Sequence, residues 1–218
     1  MEYYYGIPLI IIGIIELFLG FFIFFRYQKQ KIPLFYSLFI FGVAIWVIGN
    51  GLAYIGDLDF WARVTYVGAT LLAAFFVLFT MVFPYQEKVI NRGIKLLLLA
   101  LVLVFSITIF IDGWFVESFT DVFGREGNNF GLLYYPFMIY IPALLAWGIL
   151  LLVNKFKKSD GIHRWQLKYL LVGVIFSGVF GLNFNLILPA LGVSYLGYIG
   201  PGSSIIWLGF TTYIILKK

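Results

Sequence analysis

Few of the side chains that could do chemistry stand where they could do it. Glu16 is the one acid inside an apolar block, between Ile14-Ile15 and Leu17-Phe18-Leu19. An ionised carboxyl facing hydrocarbon is costly, so Glu16 is tolerable only if protonated or hydrogen-bonded to a neighbouring helix. Two readings stand side by side: a ligand-, ion- or proton-sensing carboxyl, or a neutral carboxyl that holds two helices together. Asn50 has Trp46 and Tyr54 four residues to either side, which at helical spacing puts the three on one face. Thr65, Tyr66 and Thr70 follow in the next apolar block, and Asn183 and Asn185 in a later one. The two asparagines diverge around a helix, so one can face the bundle while the other meets a different neighbour or the interface. Glu16, Trp46, Asn50, Tyr54, Tyr66 and Asn183 are the candidate pocket or polar-core residues. Helix-to-helix hydrogen bonding would explain each of them singly; their shared lean toward one membrane side suits a small-molecule or lipid pocket.

Other chemistry finds no foothold. There is no cysteine and one histidine, His163, so neither a thiolate nor an imidazole metal site is expected. No glycine loop suited to a nucleotide is present. The segment 197–216 has no lysine to form a retinal-type Schiff base. A membrane hydrolase would need a carboxylate pair or a histidine–metal set. No enzyme activity and no cofactor are therefore expected. His163 reads as a solvated side chain in a basic loop. A transporter would show related halves or broken helices, and neither is visible.

The elements that carry these residues follow from composition. The chain has 218 residues, 62% hydrophobic and 11% charged, against about 25% charged in a soluble domain. The apolar excess falls in blocks of the ~20 residues that a membrane-crossing helix needs. The reading is all-α: a single seven-transmembrane-helix domain with spans near 7–25, 33–55, 61–84, 94–111, 133–153, 166–188 and 197–216. The loop 112–132 is long, and turns at Gly124 and Gly127-Asn128-Asn129 would make it a small outer hairpin. Gly173, Ser177 and Gly181, and again Gly200 and Ser204, form small-residue ridges that indicate close packing. Pro142 and Pro201 are candidate kinks.

Thirteen of the fifteen cations fall in loops of one side, leaving Arg63 and Arg125 on the other. This places the N-terminus outside and the C-terminus in the cytoplasm. The net charge of +5 thus reads as orientation and anionic-lipid contact; no nucleic-acid partner is expected.

Three stretches carry a resemblance. They are Ile45-Trp46-Val47-Ile48-Gly49-Asn50-Gly51-Leu52-Ala53-Tyr54 with Phe60-Trp61-Ala62-Arg63-Val64-Thr65-Tyr66-Val67-Gly68 and Phe83-Pro84; Arg164-Trp165-Gln166-Leu167-Lys168-Tyr169-Leu170-Leu171-Val172-Gly173; and Asn183 with Leu188-Pro189-Ala190-Leu191-Gly192. In these the chain resembles the seven-transmembrane sensor region at the N-terminus of bacterial and archaeal histidine kinases. The resemblance implies a signal-input domain in a prokaryotic plasma membrane. A small-molecule or lipid stimulus would change helix packing, and the seventh helix would pass that change to a cytoplasmic kinase module in cis or in trans. It implies a homodimer, because histidine kinases work as dimers. The chain reads either as the isolated sensor region or as a stand-alone relative acting on a separate partner. The alternatives are a small carrier or channel, which needs a polar path through both halves where the inner halves look nearly free of polar side chains, or a non-catalytic membrane partner.

Overall fold

The computed structural model describes residues 3–27, 29–85, 90–118, 129–191 and 197–216. Each of the seven apolar stretches is helical: α1 (Tyr3–Arg26), α2 (Lys31–Ala53), α3 (Leu58–Val82), α4 (Arg92–Thr108), α5 (Tyr134–Lys157) and α6 (Gly161–Leu182), then a divided last stretch. α6 continues through a π-helical turn, Asn183–Ile187, into α7 (Leu188–Ala190). The last stretch comprises α8 (Ile199–Gly202) and α9 (Ser204–Leu216), which meet at Ser203 just after Pro201. Helices dominate because hydrocarbon offers the backbone no water, and a helix bonds its own amides. Among the described residues five helical stretches are long and apolar enough to cross a membrane: α1, α2, α3, α5 and the 161–190 unit. α4 has only 17 residues. Side chains such as Phe18 (73% exposed) and Ile107 (62% exposed) turn outward, as expected of a lipid-facing surface.

Two short strands, β1 (Val116–Ser118) and β2 (Asn129–Phe130), pair antiparallel, Val116 opposite Phe130 and Ser118 opposite Asn129. They draw the ends of the long loop together. Residues 119–128, with the expected turn at Gly124 and most of the one at Gly127-Asn128-Asn129, lie outside the described residues.

Two helix starts are capped by side chains. Asp57 accepts from the Phe60 amide at 3.0 Å to cap α3, and Asn91 accepts from the Gly93 amide at 2.8 Å to cap α4. Arg63 is buried and joins α3 to the end of α4. It bonds Asp59 and Asp112, each at 2.9 Å, and the Ile109 carbonyl at 2.7 Å. At the opposite end Lys155 of α5 donates to the carbonyls of Thr80 (2.6 Å), Met81 (2.9 Å) and Phe83, covering the orphaned acceptors where α3 stops.

Packing centres on α2. Gly6, Gly13 and Gly20 recur every seven residues on α1 and sit against Gly51, Ile48 and Phe41 of α2. A side chain at Gly6 would meet the Gly51 carbonyl at 2.7 Å, and one at Gly20 would meet the Phe41 ring at 2.7 Å. On the other side Gly42 and Gly49 of α2 face Leu72 and Thr65 of α3, while Gly68 of α3 faces the Trp46 backbone. Such seams replace a water-driven core, because lipid tails are as apolar as the side chains.

Pro142 lies inside α5, which continues on both sides of it. Two sequence expectations need correction. The last helix is divided at Gly200-Pro201-Gly202-Ser203, where Pro201 is a candidate kink, and the sixth contains a π-helical turn, so broken helices are present. The half of the bundle expected to lack polar groups contains a buried cluster: Tyr36 Oη lies 2.5 Å from Thr211 Oγ1 and 3.1 Å from Thr212 Oγ1. These hydroxyls escaped notice because each hides singly in an apolar run; they are tolerated because they bond one another.

Gly68→Val should destabilise the protein by about 2 kcal/mol or more, since a branched side chain would force α3 off α2. Gly209→Ala, which has nothing within 4 Å of its Cβ position, should change stability by less than about 0.5 kcal/mol. Unfolding titrations in mixed micelles would compare the two, and equal losses would refute the seam.

Candidate functional site

The polar residue that the sequence isolates most sharply is tied to the last helix. Glu16 is 1% exposed, and Ser204 Oγ lies 2.6 Å from its Oε1 and 2.6 Å from the Pro201 carbonyl. A serine hydroxyl has one proton for two acceptors. A neutral Glu16 could give its own proton to Ser204 Oγ and leave the serine proton for Pro201, meeting both needs without a buried charge. Among the described residues Glu16 Oε2 has no hydrogen-bond partner. The contact joins α1 to α9.

Ser204 is also part of the wall of a cavity of about 190 Å³ between α2, α3, α5, α6 and α9. Trp46, Asn50 and Tyr54 line it from α2 and its end, and Tyr66 from α3. Asn50 Nδ2 donates to the Trp46 carbonyl at 2.9 Å, which holds its amide along the helix. The Trp46 ring reaches across to Gly181, whose Cβ position is 3.5 Å from the indole. A methyl group at Gly181 would make an ordinary contact with that ring. Tyr66 is gripped edge-on by Phe115, Phe137 and Tyr134, with ring centroids 5.1, 5.6 and 6.0 Å away. Tyr54 meets Tyr5 of α1 at 6.1 Å, and Tyr5 stacks on Tyr198 at 4.6 Å, so three tyrosines gather at this end of the bundle.

The asparagine pair resolves into two environments. Asn183 is exposed, and its Nδ2 donates to the Val179 carbonyl at 2.7 Å. Asn185 lines the cavity. The structure thus brings Trp46, Asn50, Tyr54 and Tyr66 together, attaches Glu16 to the wall through Ser204, and turns Asn183 outward. Sequence reasoning left out Trp207, which lines the cavity from α9 and lies along Gly173 of α6. A lone tryptophan in an apolar run looks like core, and only its spacing from Gly200 and Ser204 hinted at this seam. His163 is not a freely solvated side chain either. Its Nδ1 is 3.2 Å from Gln166 Oε1, and its ring meets Tyr85 at 5.1 Å, because the α5–α6 junction folds back on Tyr85 and Ser159.

Chemically the cavity can bind. Its described lining contains no acid, lysine, arginine or histidine, so it offers no proton-transfer or nucleophilic group beyond hydroxyls and amides.

Ser204→Ala should cost about 1–3 kcal/mol by leaving Glu16 buried without its bond. Adding Glu16→Leu should restore most of the loss. Thermal unfolding of the single and double variants measures this, and a Ser204→Ala protein as stable as the parent would remove the link.

A family model described as the N-terminal 7TM region of histidine kinase matches residues 8–214. No curated protein and no solved structure matches the chain.

Proposed function

Because the chain belongs to the family of N-terminal seven-transmembrane regions of histidine kinases, a sensor region rather than the catalytic part, we propose that it is a membrane-embedded signal-input domain without catalysis of its own. In this reading it crosses a prokaryotic plasma membrane seven times, with its N-terminus outside, and works with a cytoplasmic kinase module in cis or in trans. The asymmetry of thirteen cations against two supports that orientation. So does Lys155, whose ammonium is fixed at the basic end of α3.

One observation carries the functional reading: the last helix forms part of the cavity wall. Ser204 and Trp207 of α9 line the cavity. One turn further on, Thr211 and Thr212 hold the Tyr36 hydroxyl of α2. A molecule in the cavity touches the helix that leads toward an output module. Binding then shifts the population between two positions of α9, as far as its affinities for the two differ. Glu16 acts in this scheme as the tie that sets α9 against α1, and Trp46, Asn50, Tyr54 and Tyr66 as the opposing wall. Asn183, which faces outward, contributes to the surface of α6 where a second copy or lipid would lie.

A carrier is the second reading, favoured by the π-helical turn and the division at Ser203, since interrupted helices mark transporter sites. Flux of solute into proteoliposomes would favour it over the sensor.

Orientation is testable in a chain without cysteine. Asp112→Cys should react with an impermeant maleimide on whole cells, and Lys158→Cys only after lysis; the reverse pattern would overturn the assignment. For signalling, α9 joined to a histidine-kinase module should give a basal output that Glu16→Gln, Asn50→Leu or Trp207→Ala changes by about fivefold or more, on the scale of a coupling of ~1 kcal/mol. Unchanged output from well-expressed variants would sink the role of the cavity.

A further inference from the structure

The cavity sorts its polar atoms into two sets. Asn50 gives one amide hydrogen to the Trp46 carbonyl, Thr65 gives its hydroxyl hydrogen to the Trp61 carbonyl, and Ser204 is engaged by Glu16 and Pro201. Ser177 Oγ, Asn185 Nδ2 and Trp207 Nε1 are buried, and none has a hydrogen-bond partner among the described residues. All three residues line the cavity, and Trp207 is 94% buried by its 6% exposure. Buried polar groups left unpaired are rare and call for a reason.

Their placement gives one. Thr65, Thr70, Thr108 and Thr211 each bond the carbonyl four residues back, the ordinary recourse of a hydroxyl in an apolar helix. Ser177 does not. Asn185 sits in the π-helical turn of residues 183–187, a distortion that often accompanies binding sites. Trp207, beside Gly173, lies one turn of α6 before Ser177, and Asn185 lies eight residues beyond it, roughly 12 Å along the helix. Between them Gly178 lines the cavity with nothing within 4 Å of its Cβ position. The same side of α6 thus offers an open trough with hydrogen-bonding groups along it. An indole N–H can only donate, and the described lining has no charge to meet an ion.

We infer that this cavity binds an uncharged, largely apolar molecule with a hydrogen-bond-accepting oxygen, a lipid-soluble ketone or alcohol, whose oxygen is met by the Ser177 hydroxyl beside the open space at Gly178. The inference rests on the sensor reading of the same cavity and names what it senses. Aromatic walls from Phe39, Phe76 and Phe137 hold the apolar part.

Three ten-carbon probes test it on the full chain in dodecyl maltoside at neutral pH: 2-decanone, decanoate and decane. 2-Decanone should raise the Tm saturably, at a half-saturating concentration about tenfold below that of decane or decanoate, the factor expected of one hydrogen bond in a dry site. Gly178→Leu, which fits the open space, should abolish the saturable shift. Ser177→Ala should weaken it about fivefold. Equal effects of decane, tighter binding of decanoate, or an unchanged response of both variants would each overturn the inference. The kinase-joined protein separates it from the sensor reading. If Gly178→Leu alters output while 2-decanone does not bind, the ligand class falls and the sensor stands. If 2-decanone binds as expected but neither it nor Gly178→Leu alters output, the ligand class stands and the sensor falls.

Discussion

Backbone approach at glycine is the constraint on which the arrangement depends. In lipid nothing drives helices together as water does, so contact must come from closeness itself. Gly6, Gly13 and Gly20 lay α1 on α2, and Gly42, Gly49 and Gly68 lay α2 on α3. Because the α3 backbone at Gly68 occupies the space beside the Trp46 backbone, the Trp46 ring is directed past it toward Gly181 on α6. The cavity is therefore a by-product of the seam. Where α2 and α3 meet closely, their large side chains are displaced to the side where α5, α6 and α9 stand further off.

The other side of the cavity is held differently. α9 meets α1 through Glu16–Ser204, α2 through Tyr36 with Thr211 and Thr212, and α6 through Trp207 on Gly173. These are single polar or ring contacts rather than continuous seams. Small residues pressed together along several turns resist displacement because the whole interface must part at once. A helix held at separate points can be re-seated one contact at a time. The bundle thus pairs a tightly joined part, α1 to α3, with a last helix whose attachments are discrete.

The helical stretches were legible because run length and charge placement are properties of composition alone. The shared face of Trp46, Asn50 and Tyr54 was legible from helical spacing, and all three line one cavity. The choice between Asn183 and Asn185 was not, because a π-helical turn shifts the helix phase over residues 183–187 and leaves no mark in residue type. Lys155 read as one more loop cation, though its ammonium bonds three carbonyls at the end of α3; that role needs the end of another helix to be in place. Ser204 and Gly200 read as packing residues, which they are, but Ser204 also carries the bond to Glu16. The seven-residue recurrence of glycine on α1 was on view in the sequence and is the signal that could have placed α1 against α2.

The Tyr36 hydroxyl has two threonine partners on adjacent positions of α9, about 100° apart around the helix. A small turn of α9 lengthens one of these bonds as it shortens the other, whereas sliding α9 along its axis or drawing it away lengthens both. The paired threonines therefore oppose a piston movement of the last helix more than a slight roll.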